Sequence, residues 1–401
     1  MGCRVATLGE LSLDNGKYGI AASAVDFDAK LPAYLRITDI NDDGTLNQLD
    51  RKSVNDANAC EYMLSEGDIV FARTGNSTGR NYFYDPRDGE FAFAGFLIKF
   101  SLDNSKVNSR FVKYYAQSKP YWNWVASFNT GSTRGNINAK TYAQMPVPLP
   151  ERSVQDSIVA LCDSISDKIR VNTKINGYLE ELARAMYVSA MQEHADSAAL
   201  RDLAEFNPET YSPKENWSAV SYIDTSALML NNLAGLQHFN LAEEKLPARA
   251  RRKVSNGDIL YSTVRPNQNH YGLLYGPEPH MLASTAFAVI RPNDTIMSPL
   301  VYLALTDART TKTLQQLAET STSTIPSIRP VDLERIAVLV PSDECGNEIA
   351  AQIGTAFKQI DCNKRENRKL AALRDALLPK LMSGEIDVSK IDLTQLNSHL
   401  A

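Results

Sequence analysis

Four short segments of this 401-residue chain concentrate side chains that hydrogen-bond to nucleobase edges and phosphates. The first is Arg73-Thr74-Gly75-Asn76-Ser77-Thr78-Gly79-Arg80, where Arg73, Thr74, Asn76, Ser77, Thr78 and Arg80 are the candidate contacts. The second, Thr130-Gly131-Ser132-Thr133-Arg134-Gly135-Asn136, adds Thr133, Arg134 and Asn136. In the other half of the chain, Thr263-Val264-Arg265-Pro266-Asn267-Gln268-Asn269-His270 offers Thr263, Arg265, Asn267, Asn269 and His270. Thr320-Ser321-Thr322-Ser323-Thr324 offers Ser321, Thr322 and Ser323. Arginine meets guanine with two parallel hydrogen bonds and asparagine does the same with adenine, each worth about 1–3 kcal/mol of discrimination. The same groups, with backbone amides, hold phosphates. Arg73, Arg134 and Arg265 weigh most, although every one of these segments also suits an ordinary polar turn. The basic run Arg249, Arg251, Arg252 and Lys253 fits a phosphate contact or a solvated surface.

Other chemistry is hard to find. No GxxxxGK[ST] phosphate loop occurs, which argues against autonomous ATP hydrolysis. Asn207-Pro208-Glu209-Thr210 does not match the Asn-Pro-Pro-aromatic run of amino-methyltransferases. His194, His238, His270, His280 and His399 form no close ligand pair, and the acidic pair Glu243-Glu244 reads as solvated surface. Cys3, Cys60, Cys162, Cys345 and Cys362 are odd in number and lack a CxxC pair, so neither a disulfide framework nor a zinc cluster is expected. No catalytic centre, metal site or bound cofactor is expected on this chain.

The four segments fall into two copies of one plan. Glu66-Gly67-Asp68-Ile69-Val70 matches Asn256-Gly257-Asp258-Ile259-Leu260, and Val147-Pro148-Leu149-Pro150 matches Val338-Leu339-Val340-Pro341. Each copy reads as an α+β region of about 150 residues followed by a long helix. Asp68–Ala72 and 96–100 read as strands, and 108–126 as a helix anchored by Phe111, Tyr114, Tyr115 and Trp122. Residues 298–318 read as its counterpart. The expected division is 1–150, a helix over 151–195, a second α+β region over 196–341, a helix over 342–390, and a tail over 391–401.

The long segments carry a heptad seam. Ile165, Ile169, Asn172, Asn176, Leu179, Ala183, Met186 and Ala190 step by four and three within 153–193. Ala356, Ile360, Asn363, Asn367, Leu370, Leu377 and Leu381 do the same, with Arg374 interrupting. Asn172, Asn176 and Leu179 match Asn363, Asn367 and Leu370, each pair 191 positions apart. Such helices either pack on their own domains or pair with each other. Two matching seams favour an antiparallel coiled coil with pseudo-two-fold symmetry, its asparagines near the axis fixing register. A helix of some forty residues is roughly 60 Å long. It would let two domains reach major grooves about 34 Å apart, or serve as a two-armed interaction scaffold.

Composition sets limits. Hydrophobic residues make up 43% and charged residues 22%, as in ordinary globular chains. The net charge of −5 argues against generic nucleic-acid binding, so any DNA face must be local or shared with a more basic partner. Residues 1–6 carry no apolar signal core and no run reaches eighteen apolar residues, so a cytoplasmic protein without a membrane span is expected.

Three segments together carry a resemblance. Ile165-Ser166-Asp167-Lys168-Ile169 with 172–183 resembles the central conserved region of specificity subunits of type I restriction–modification enzymes. Residues 373–386, Leu-Arg-Asp-Ala-Leu-Leu-Pro-Lys-Leu-Met-Ser-Gly-Glu-Ile, are similar to that family's C-terminal conserved region. Leu35-Arg36-Ile37-Thr38-Asp39-Ile40 with Asp43-Gly44 resembles an opening of its target-recognition domains. The resemblance implies two target-recognition domains on double-stranded DNA and a helical ruler between half-sites. It also implies no chemistry on the chain itself. Two methyltransferase subunits using S-adenosylmethionine, and ATP-driven restriction subunits, would supply that. The two loops of each copy differ in sequence, so the two half-sites are expected to differ.

Overall fold

Each repeat starts its central strand from the same turn. In Ser65-Glu66-Gly67-Asp68 the amide of Asp68 donates to the carbonyl of Ser65 at 3.0 Å; in Ser255-Asn256-Gly257-Asp258 the equivalent bond is 3.2 Å. The third residue sits at φ +87° and +86°, a conformation that demands glycine. The aspartate then turns its carboxylate back onto the amide of Ser65 (2.9 Å) or Ser255 (2.7 Å). Both aspartates are buried, so each charge needs a partner. Lys99 Nζ (3.0 Å) and Ser101 Oγ (2.6 Å) meet Asp68. Arg291 meets Asp258 through two bonds, Nε at 2.8 Å and Nη2 at 2.9 Å.

The computed structural model describes residues 4–47, 50–128, 135–321 and 325–388. Its contacts divide the chain into two units, Met1–Arg170 with Asn367–Ala401, and Val171–Glu366. In the first unit a four-stranded sheet runs Lys17–Tyr18, Leu97–Ser101, Asp68–Ala72, Asn81–Phe83. A second runs Ala24–Asp26, Lys52–Val54, Ala33–Leu35, Phe91–Phe93, with the last two parallel. The second unit repeats the order of the first sheet, but in its second sheet the parallel pair is central where the first unit has it at the edge. One sheet runs Ala204–Phe206, Phe287–Pro292, Ile259–Ser262, Tyr271–Leu273; the other runs Gln237–Asn240, Ala219–Ile223, Met281–Ser284, Ala250–Lys253. Its single parallel pair is Ala219–Ile223 with Met281–Ser284. A two-stranded ribbon closes each unit beside the long helices: Arg4–Thr7 with Pro146–Leu149, and Ala195–Ala199 with Ala337–Pro341.

The helix expected over 108–126 is two helices, Ser109–Tyr115 and Lys119–Ala126. Pro120 has no amide to continue the first helix and suits the opening turn of the second, while Ser118 Oγ returns to the carbonyl of Tyr115. Residues 298–318 break likewise into Ser298–Leu305 and Ala308–Glu319, where Asp307 caps the amide of Arg309. The expected anchors hold: Phe111, Tyr114 and Tyr115 are buried, with Trp122 packed at the edge of the same core. The first long helix is α-helical over Arg152–Ala185 and then widens into a π turn at Met186–Ala190. The second spans Glu344–Ser383.

Each unit contains half of each long helix, paired antiparallel. In the first unit Ile158 and Cys162 share a core with Leu378 and Leu381. Farther along the first helix, Ile169 accepts a hydrogen bond from Asn367 Nδ2. In the second unit Asn172 Nδ2 donates to Glu366 at 2.7 Å and Asn363 Nδ2 to Asn176 Oδ1 at 2.8 Å. Farther on, Leu179 and Ala183 join the core that holds Ile353, Phe357 and Ile360. Asn172 and Asn363 are buried, and Leu370 is buried in the first unit's half. Buried amides that satisfy one another allow few alternative registers.

A charged turn ties the first sheet layer to the first helix. Arg87 Nη1 meets Asp167 at 2.8 Å, and Arg170 Nη2 meets Asp88 at 2.8 Å. Burial pushes the Asp85 carboxyl up, but hydrogen bonds from Arg87 outweigh it and hold the group at about 2. The stability supplied by ionised Asp85 is full above the ordinary value of 3.8 and is lost as pH falls through about 2. Asp85→Asn is therefore expected to be less stable than the parent at neutral pH, with the gap closing as pH approaches about 2. Thermal unfolding across that range checks it; a gap independent of pH contradicts it. Asp258→Ala is expected to cost about 2 kcal/mol, because it removes the carboxylate that meets two nitrogens of Arg291 and leaves only Glu209, 2.7 Å from Nη1, to hold that guanidinium. Asp258→Asn should cost less. A loss below about 1 kcal/mol on thermal unfolding would show that the Asp258–Arg291 pair is dispensable.

Candidate nucleic-acid interface

The strand Asp68–Ala72 feeds directly into segment 73–80, which returns as strand Asn81–Phe83. At its base Ala72 N donates to Arg80 O (2.8 Å) and Gly79 N to Ala72 O (3.0 Å). Residues 135–137, at the described end of the second polar segment, run beside it. Ile137 N donates to Arg73 O at 2.9 Å, and Thr74 bridges to Asn136. Thr78 Oγ1 lies 2.8 Å from Gly75 O and 2.9 Å from Gly135 O, so one hydroxyl joins both segments.

The second unit builds the same frame with residues 326–328, beyond the expected segment Thr320–Thr324. Ser262 N donates to His270 O (2.8 Å), Ile328 N to Thr263 O (2.8 Å) and Arg265 N to Pro326 O (3.0 Å), while Val264 bridges to Ser327. Backbone hydrogen bonds do not depend on side-chain identity, so the frame is kept while the side chains on it differ.

Those side chains divide by what they already hold. Arg80 is engaged by Asp42 (2.7 Å) and the carbonyl of Ile40, and Ser77 is buried. Thr263 Oγ1 donates to Ala286 O at 2.9 Å. His270 Nδ1 lies 2.8 Å from Leu228 O, a carbonyl that requires the proton on that nitrogen. Asn76, Asn136, Arg265 and Asn267 are exposed, and Thr74, Thr78, Asn269 and Ser321 are half-buried. Thr133, Arg134, Thr322 and Ser323 lie outside the described residues. The basic run is partly spent internally: Lys253 Nζ pairs with Glu215 at 2.6 Å and lies 5.3 Å from the centre of the Trp217 ring.

One participant carried no signal in the sequence. Arg73 lies half-buried over the ring of Tyr18, 5.0 Å from its centroid, and Tyr18 Oη accepts from the amide of Ala139. Tyr18 stands on a two-residue strand far from Arg73 in the chain, and only the sheet brings them together. Beside this pair opens a cavity of about 610 Å³ lined by Asn15, Tyr18, Asn138, Lys140 and Gln144 among others. It extends the hydrogen-bonding surface of the loop pair.

Among the described residues no group of three or more His, Cys, Asp or Glu side chains could hold a metal ion. No described helix is long and apolar enough to cross a membrane. The four described cysteines are free thiols. Burial pushes the Cys162 thiol up to about 12, so it stays protonated.

Comparison with known proteins places these features. Residues 7–181 match the Type I restriction modification DNA specificity domain. The specificity subunit of the type I restriction enzyme HindI from Haemophilus influenzae is 28% identical over 159 residues, spanning 39% of this chain and 34% of that protein. The MjaIX specificity subunit from Methanocaldococcus jannaschii is 18% identical over 309 residues, 71% of either chain. The crystal structure of a type I restriction–modification S subunit from M. genitalium superposes with a TM-score of 0.54 at 15% identity, covering 95% of this chain and 96% of that one. Residues 7–181 therefore belong to the type I restriction–modification DNA specificity domain family, and the chain as a whole has the fold of a specificity subunit.

Proposed function

We propose that this chain is the DNA sequence-recognition subunit of a type I restriction–modification complex. It reads a bipartite target in double-stranded DNA, one unit to each half-site, and performs no chemistry itself. The observation that carries the reading is the paired loops, built on one backbone frame in both units and furnished with different side chains. The exposed Asn76 and Asn136 of the first pair, and Arg265 and Asn267 of the second, are the groups free to meet base edges. Arg73, Thr74, Thr78, Asn269 and Ser321 stand beside them, and Arg80, Ser77, Thr263 and His270 shape the loops. Because the furnishing differs, the target is asymmetric.

The recognition portions are residues 1–150 and 196–341, and the paired helices set the gap between half-sites. Val171, Ile175, Tyr178 and Leu182 follow one another at intervals of four, three and four along the first long helix, each exposed. A solvated apolar stripe of this kind favours docking of a partner helix, and fits carriage of methyltransferase subunits. Those subunits would bring S-adenosylmethionine, and restriction subunits would bring ATP. A cytoplasmic location fits this reading.

The test is a map of methylated adenine in cells carrying the chain and its neighbouring methyltransferase, against cells lacking only the chain. Methylation should vanish at one gapped motif whose two halves differ. A symmetric motif would refute two-sided reading by unlike loops, and unchanged methylation would refute the specificity role.

A further inference from the structure

Segments 73–80 and 263–270 share their backbone path but differ at the two places where the chain turns left-handed. Gly75 (φ +76°) and Gly79 (φ +91°) occupy them in the first unit; Arg265 (φ +47°) and Asn269 (φ +57°) occupy them in the second. Glycine enters this region without steric penalty, and asparagine tolerates it. For a long side chain it is strained. At the first place space does not select between them, since a Cβ at Gly75 would meet nothing within 4 Å; at the second, a Cβ at Gly79 would meet Val125 Cγ1 at 2.7 Å.

The other described left-handed residues that are neither glycine nor asparagine have local reasons. Leu230 stands with Asn231 at the two-residue turn joining strands Leu228–Met229 and Asn232–Leu233. Such a turn needs positive φ at both positions. His280 stacks on Trp217, with ring centres 4.4 Å apart and planes 14° apart. Arg265 has no such reason. Its side chain is exposed, and among the described residues no hydrogen bond, ion pair or ring contact engages its guanidinium. Its backbone is pinned on both sides, Arg265 N to Pro326 O at 3.0 Å and Gln268 N to Arg265 O at 2.9 Å. The loop thus holds outward, on a strained residue where its own counterpart uses glycine, a guanidinium that no described residue pairs.

Strain of this kind persists where the surroundings impose it and it serves a function. We propose that Arg265 is the specificity-determining residue of the second unit, reading a guanine through its O6 and N7, and that its left-handed backbone is the stability cost of aiming it. The proposal rests on the reading of the chain as a DNA-recognition subunit.

The test compares Arg265→Gly and Arg265→Ala in the full chain, purified for thermal unfolding and produced with its methyltransferase for methylation mapping. Arg265→Gly relieves the strain and removes the guanidinium. Its unfolding midpoint should rise by about 2–4 °C, and the motif should lose about 10- to 100-fold of its preference at one G·C position in one half. Arg265→Ala removes the guanidinium but keeps a Cβ in the strained conformation, so the same position should relax without a comparable rise. An unchanged motif in both variants overturns the proposal. So does a uniform loss at all positions, which marks a phosphate contact, or a midpoint that falls in the glycine variant. If deleting the whole chain leaves methylation unchanged, the broader reading falls, and this proposal with it.

Discussion

A carboxylate buried at the head of a strand must be met by backbone amides and a cation, and both units are organised around that demand. Asp68 and Asp258 take their amides from the same turn in the same way. Their cations come from different residues. Position 101, a serine that bonds Asp68, corresponds to Arg291, which bonds Asp258 through two nitrogens; the lysine that serves Asp68 stands two residues earlier, at 99. A displacement of two along a strand keeps a side chain on one face, so the repeat lost its residue identity there without losing its chemistry. The central strand anchored by this aspartate delivers loop 73–80 or 263–270 at its far end. Fixing the carboxylate therefore fixes where Arg73 and Thr263 leave the sheet.

The loops themselves are governed by backbone, not side chain. The carbonyls of Arg73 and Thr263 accept from Ile137 and Ile328 at 2.9 and 2.8 Å, so residues 136–137 and 326–328 lie against the two loops whatever side chains either displays. A frame of this sort permits the exposed residues to vary at little cost to folding. It would also let an acidic chain hold the DNA face proposed for it, since a few outward donors on one edge do not require a basic whole. The helix pair is equally rigid for a different reason, because Asn172, Asn176, Asn363 and Glu366 satisfy one another's polar groups inside it.

Much of this was legible in the chain wherever a physical requirement forces a residue type. The Gly67-Asp68 and Gly257-Asp258 steps stand out because a positive φ admits little else, and the helical seams stand out because apolar burial has a period. The asparagines were legible as register devices because a polar residue in a seam needs a partner. What could not be read is how side chains are spent. Arg80, Thr263 and His270 are hydrogen-bonding residues like Arg265 and Asn267, yet Asp42, the carbonyl of Ala286 and the carbonyl of Leu228 engage them. Tyr18 under Arg73 depends on sheet order, which local pattern does not encode. The break at Ser118–Pro120 was visible as a proline but was overridden by the run of aromatic anchors around it.

The most direct measurement is hydrogen–deuterium exchange of the full chain, alone and with duplex DNA bearing its mapped target. Slowed exchange at 73–80 with 135–138 and, in the same experiment, at 263–270 with 325–328 is the expected result. Protection confined to the long helices, or to one loop pair alone, would contradict recognition by two units built on one frame.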